Sequence, residues 1–190
     1  MNENTITIVS GLPRSGTSMM MKMLAAGGME VLTDNLRTAD EDNPKGYFEF
    51  EKVKELERDA SWLADARGKV VKIISALLKH LPAEYDYKVI FIRRKMEEIL
   101  ASQRQMMIRR GESSEGPSDE RMAEVFAKHL AQVEAWLAAQ SNIDVTYVSY
   151  QEALANPAGC ADQVNNFLGN SLDRQRMIGV VDEALYRQRR

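Results

Sequence analysis

Eight residues gather most of the groups that could hold an anion. Residues 11–18 read GLPRSGTS and directly follow the apolar run TITIVS. Gly11, Gly16 and Ser18 fit the phosphate-loop pattern G-x-x-x-x-G-K-[ST], but Thr17 stands where that pattern has lysine, and the cation is Arg14. A strand, a glycine turn and a helix start suit an anion. The free N–H groups of the first helical turn point outward, and the helix dipole favours negative charge. Gly16 permits close backbone approach, Thr17 and Ser18 add hydroxyl donors, and Arg14 supplies a planar fork suited to oxyanions. A plain strand-to-helix turn that binds nothing is the alternative, and the convergence of donors argues against it.

The rest of the chain limits what such a loop does. A kinase or ATPase needs Mg²⁺, held partly by an acid at the end of a second strand. The candidate strands, KVVKIIS (69–75) and YKVIFI (87–92), lead to Ser75 and to the pair Arg93–Arg94. With both the lysine and the acid missing, triphosphate hydrolysis is disfavoured. Metal-free transfer of a group less charged than a γ-phosphate suits these residues better. Two histidines and one cysteine leave no metal-ligand cluster, so no metal is expected.

The elements that must position the loop follow from periodicity. Residues 5–10 alternate and are β-branched, so they read as a strand, and 17–26 read as a helix stopped by Gly27–Gly28. Its run of Met19, Met20, Met21 and Met23 reads as packing against a sheet. Further helices are expected over 49–66, 95–110 and 121–140, and a strand over 144–150. Residues 33–47 and 111–120 read as polar loops. Strands alternating with helices predict an α/β fold with a parallel sheet covered on both faces.

Bulk properties exclude several classes. The 190 residues suit a single domain over 1–190. A net charge of −3 argues against a nucleic-acid-coating protein. The lone Cys160 permits no intrachain disulfide and fits a reducing compartment. The start MNENTITIVS carries no leader pattern, and no apolar run is long enough to span a bilayer. A cytoplasmic location, with no membrane and no nucleic-acid partner, is therefore expected. No dimer signature is visible, and the oligomeric state is left open.

Three stretches resemble the sulfotransferases that use 3′-phosphoadenosine 5′-phosphosulfate (PAPS). GLPRSGTS looks like their 5′-phosphosulfate loop, VIFIRRKMEEILASQ like their 3′-phosphate motif, and VSYQEALANPAGCADQVNNFLG like their late segment. The resemblance spans residues 6 to 169 in the family's order. It implies a P-loop NTPase-like three-layer α/β/α fold and sulfuryl transfer from PAPS to an acceptor hydroxyl or amine, leaving PAP. It implies that Arg14, Ser15, Gly16, Thr17 and Ser18 hold the 5′-phosphosulfate and that Arg94 and Ser102 hold the 3′-phosphate. The spacing to Ser102 favours Arg94 over Arg93. Tyr150 matches a tyrosine that approaches the adenine in some members, with a core aromatic as the competing role.

The chain also departs from the family. It is shorter than the well-known cytosolic members, and their late R-K-G element is not visible. Arg187, Arg189 and Arg190 are candidates to replace it, although a solvated tail explains them too. Met19 stands where an aromatic commonly follows the loop.

Transfer to a hydroxyl needs an aligned acceptor, stabilised charge on the bridging oxygen, and a base. Arg14 serves the charge, and Lys72 matches a lysine that precedes the family's catalytic histidine. That histidine position falls on Ile74, so the usual base is absent. Glu49, beside Tyr47, Phe48 and Phe50, is the favoured substitute. Asp34 and then His80 follow. A carboxylate against an apolar wall and an anion has a raised pKa, which suits a base near neutrality. Opening the next helix is the competing role for Glu49. His129 receives no role, and Trp62 and Trp136 read as helix packing. The acceptor, a small molecule or a conjugate, is expected to be shaped by residues 33–48 and 111–120. The alternatives are a P-loop small-molecule kinase and a non-catalytic nucleotide-binding protein on the same fold.

Overall fold

The computed structural model describes residues 4–34, 48–109, 111 and 117–181. Residues 5–11 are buried along their whole length, which is the mark of a central strand. This is β1 (Thr5–Gly11). It lies between β2 (Val70–Lys72) and β3 (Asp86–Arg93), and β4 (Ile143–Ser149) pairs on the far side of β3. All three pairings are parallel, in the order β2-β1-β3-β4.

Alternation along the strands fills two cores. Ile6, Ile8, Val89 and Phe91 face one layer, and Val9, Ile90 and Ile92 face the other. The second layer holds α1 (Thr17–Ala26), α4 (Tyr150–Ala155), α5 (Pro157–Phe167) and α6 (Arg174–Gly179). Met20, Met21, Met23 and Leu24 of α1 are wholly buried there, as the sequence predicted, and burying each stabilises by about 1.5–3 kcal/mol. The first layer holds α3 (Asp119–Ala138) and the short 3₁₀ turns that flank β2. The remaining helix, α2 (Met96–Arg109), follows β3. The architecture is the expected three-layer α/β/α, P-loop NTPase-like fold.

The order of the strands creates the site. The chain leaves β1 toward β2 on one side and leaves β3 toward β4 on the other. Their carboxyl ends therefore open a crevice at a switch point, where doubly wound folds bind ligands.

Two local expectations need correction. Residues 49–66 are not one helix but two 3₁₀ turns, Glu51–Glu55 and Ser61–Ala66. The break is explained by Asp59, whose Oδ1 accepts from the Ser61 backbone N–H at 2.9 Å and so competes with helical bonding. The strand expected over 69–75 pairs only from Val70 to Lys72. Ile74 is extended, and a 3₁₀ turn takes over at Ser75–His80.

Candidate functional site

The loop after β1 is wound by two left-handed residues. Arg14 has φ 70° and Gly16 has φ 107°, and the Ser15 N–H donates to the Leu12 carbonyl at 3.1 Å to close the turn. Helix α1 then begins at Thr17, with the Gly16 carbonyl accepting from the Met19 and Met20 N–H groups. The Ser15 hydroxyl is fully buried against Gly11, where a Cβ would meet it at 2.6 Å, and it has no hydrogen-bond partner among the described residues.

The segment after β3 meets this loop. Arg14 Nε donates to Ser102 Oγ of α2 at 3.0 Å, and Arg94 NH1 donates to the Arg14 carbonyl at 3.0 Å. The Arg94 guanidinium also lies 4.4 Å from the centre of the Tyr150 ring. Its neighbour Arg93 points elsewhere, toward Glu134 of α3 at 2.8 Å and onto the Tyr147 ring. Strand alternation thus sends one arginine to the loop and the other to the α3 layer. Arg14, Ser102 and Arg94, far apart in sequence, form one constellation.

Tyr150 closes the constellation from below. It is 6% exposed, and a Cβ on Gly16 would come within 2.7 Å of its ring. Gly16 is therefore demanded twice, by its left-handed φ and by the aromatic beneath it. Burial pushes the Tyr150 phenol above its ordinary pKa. The Arg94 guanidinium opposes that shift, Glu98 adds to it, and Arg14 opposes it.

A second arm enters from β2. Lys72 Nζ lies 3.4 Å from Ser18 Oγ and 3.5 Å from Glu49 Oε1, long contacts that act more through charge than through bond geometry. Glu49 thereby reaches the loop through Lys72. Asp34 has a different task, since its Oδ2 accepts from the Glu51 N–H at 2.6 Å and caps the 3₁₀ turn. Phe48 packs on the α1-side core and Phe50 on the edge of Trp62 at 5.4 Å, so apolar side chains flank Glu49. His80 ends the turn after β2 and makes no side-chain hydrogen bond among the described residues. Ile74, where the resemblance led us to expect a histidine, is 41% exposed.

Two further contacts were not read from the sequence. His129 Nε2 lies 2.9 Å from Ser75 Oγ, pinning α3 to the segment after β2. Burial holds the imidazole below its ordinary pKa, and Lys79 pushes the same way. Glu98 is 2% exposed and pairs with Arg94 at 2.9 Å, which the i, i+4 spacing would have revealed. Tyr47, most of the 33–47 loop, residues 112–116 and Arg187, Arg189 and Arg190 lie outside the described residues. Among the described residues, no group of three His, Cys, Asp or Glu side chains could hold a metal ion, and no helix is long and apolar enough to cross a membrane.

Comparison with known proteins accords with this geometry. A family model for the sulfotransferase domain matches residues 4–190. No curated protein matches the sequence. Among solved structures, the sulfotransferase STF1 from Mycobacterium tuberculosis H37Rv superposes with a TM-score of 0.60 at 18% identity, covering 92% of this chain and 70% of that one. Retinol dehydratase in complex with androsterone and PAP gives 0.56 at 14% identity, and mouse sulfotransferase SULT7A1 complexed with PAP gives 0.54 at 16%. For both, the match covers 96% of this chain and 64% of theirs, so this chain spans about two thirds of the length of such relatives. These likenesses are of fold, while the family match extends over nearly every residue. The chain belongs to the sulfotransferase-domain family.

Proposed function

We propose that this protein moves a sulfuryl group from PAPS to a hydroxyl or amine of a small-molecule or conjugate acceptor, without a metal, and releases PAP. The observation that carries the reading is the Arg14–Ser102 hydrogen bond at 3.0 Å, which joins the loop after β1 to the helix after β3 at the switch point. The donor set suits the nucleotide. Arg14, the α1 amides, Thr17 and Ser18 would face a 5′-phosphosulfate. Ser102, on α2, and Arg94, just after β3, would face a 3′-phosphate. The buried Ser15 hydroxyl, without a partner among the described residues, is a further donor within the same turn.

The chemistry divides among these residues. As the S–O bond to the nucleotide breaks, negative charge grows on the bridging oxygen, and Arg14 and Lys72 would stabilise it. Glu49 would take the acceptor's proton, held toward the loop by Lys72. Such a reaction needs no Mg²⁺. The kinase alternative gives way to the family match. The exposed Ile74 keeps one further reading in view, a protein that binds PAP without turning over. A single domain over residues 1–190 and a cytoplasmic location with no nucleic-acid partner belong to the same proposal.

The test is PAP release from PAPS across a panel of hydroxyl and amine acceptors. Turnover that falls by about 10²–10³ in Arg14→Ala, the usual loss for one preorganised donor, supports the enzyme. PAP binding with no turnover on any acceptor favours the binding protein.

A further inference from the structure

The mechanism above leaves one buried charged group without a task. Glu98 is 2% exposed in the first turn of α2, and its Oε2 accepts from Arg94 Nε at 2.9 Å. A buried ion pair is a poor stabiliser, because an apolar pair of the same volume is often as stable or more so. The reason for Glu98 therefore lies in what Arg94 does at its other end.

There the guanidinium is held at two more points. NH1 donates to the Arg14 carbonyl at 3.0 Å, and its carbon sits 4.4 Å from the Tyr150 ring centre. A planar fork fixed by a carboxylate, a ring and a carbonyl has little freedom to reorient. The carbonyl it grips belongs to a residue in a left-handed conformation, φ 70°, which non-glycine residues adopt only where their surroundings enforce it.

The second grip comes from the same helix face. Glu98 and Ser102 are spaced i, i+4 and lie side by side on α2. Ser102 Oγ accepts from Arg14 Nε at 3.0 Å. One face of α2 thus holds Arg14 twice, by its backbone through Glu98 and Arg94 and by its side chain through Ser102.

We infer that Glu98 is a positioning residue for the donor loop: through Arg94 it fixes the Arg14 backbone, and so aims the Arg14 guanidinium at the group to be transferred. This rests on the donor-site reading above. It separates Glu98 from a residue that only stabilises the fold, because the part of its effect that passes through Arg14 is the part that Arg14→Ala abolishes.

The test is a double-mutant cycle of Glu98→Gln with Arg14→Ala, read by PAP calorimetry. Glu98→Gln keeps the shape and removes the charge. It is expected to weaken PAP binding by about tenfold, the scale of one charge-assisted hydrogen bond. Glu98→Asp should fall between native and Glu98→Gln, and Glu98→Gln should cost less when Arg14 is already alanine, the remainder being its effect through Arg94 on the 3′-phosphate. An undiminished loss in the Arg14→Ala background, or no loss in the native one, overturns the inference. If Glu98→Gln does not fold, Glu98→Asp carries the same cycle. If the native chain does not bind PAP at all, the donor-site reading fails, and NMR of the free chain decides this one separately. A resolved Arg14 Nε–H resonance that is lost in the Glu98 variant, with the amide spectrum intact, supports positioning. The same resonance in both chains refutes it.

Discussion

Replacing Gly16 by alanine perturbs the loop in two separable ways. The residue has φ 107°, and an L side chain in the left-handed region costs about 1–2 kcal/mol. The new Cβ would also come within 2.7 Å of Tyr150 Cε2 and closer still to Cδ2. That ring cannot swing away freely, since it is 6% exposed and stacked under Arg94. Overpacking of this kind costs about 1–3 kcal/mol. The total of about 2–5 kcal/mol would leave a folded but weakened protein. In urea, with a slope near 2 kcal/mol per molar, the midpoint should fall by about 1–2.5 M. The same substitution in a Tyr150→Leu background meets no ring and should cost only the backbone share, about 1–2 kcal/mol. An equal cost in the two backgrounds, or a cost below about 0.5 kcal/mol in the native one, would refute the claim that Tyr150 supports the loop at Gly16.

Other outcomes follow from neighbouring contacts. Glu49→Gln should lower kcat by about 10²–10⁴ with little change in PAP affinity, as expected for a lost general base, whereas Asp34→Asn should cost stability of order 1 kcal/mol and leave kcat near the native value. Steady-state kinetics beside thermal melts separate the two, and equal kinetic losses would remove Glu49 from the base role. The His129 imidazole titrates below its ordinary value of 6.5 because burial disfavours its charged form. The unfolded chain therefore takes up that proton first. Stability present above about pH 6.5 is lost as pH falls through the lower folded value. His129→Gln should flatten the fall in urea midpoint below about pH 6.5, and an unchanged slope would contradict the assignment.

Local pattern made β1, its loop and α1 legible, because alternation, glycine spacing and a helical stripe each act within a few residues. Arg94 was preferred over Arg93 for its spacing to Ser102, and only the fold shows Arg94 meeting the loop while Arg93 turns to Glu134. Other parts depend on distant partners. The Ser75–His129 contact joins residues 54 apart in sequence, and no local signal announces it. Glu49 and Asp34 look alike as acids in a polar stretch. Only the fold shows that one reaches Lys72 while the other caps a turn. The helix expected over 49–66 failed because Asp59 offers its own hydrogen bond to the backbone, a competition that apolar periodicity does not register. Tyr150 was matched by likeness to an adenine contact, with a core aromatic as the competing role, and its packing under Gly16 and Arg94 is visible only once β4 lies beside β3.

The central claim is a metal-independent site for a nucleotide carrying both a 5′- and a 3′-anion. Calorimetric titration of the purified chain with PAP, against ADP with and without Mg²⁺, tests it most directly. The account predicts PAP binding that needs no metal, exceeds ADP binding, and weakens in Ser102→Ala, which removes both a 3′-phosphate contact and the hold on Arg14. Preference for the Mg²⁺ nucleotide, or equal affinity for PAP and ADP, would contradict it.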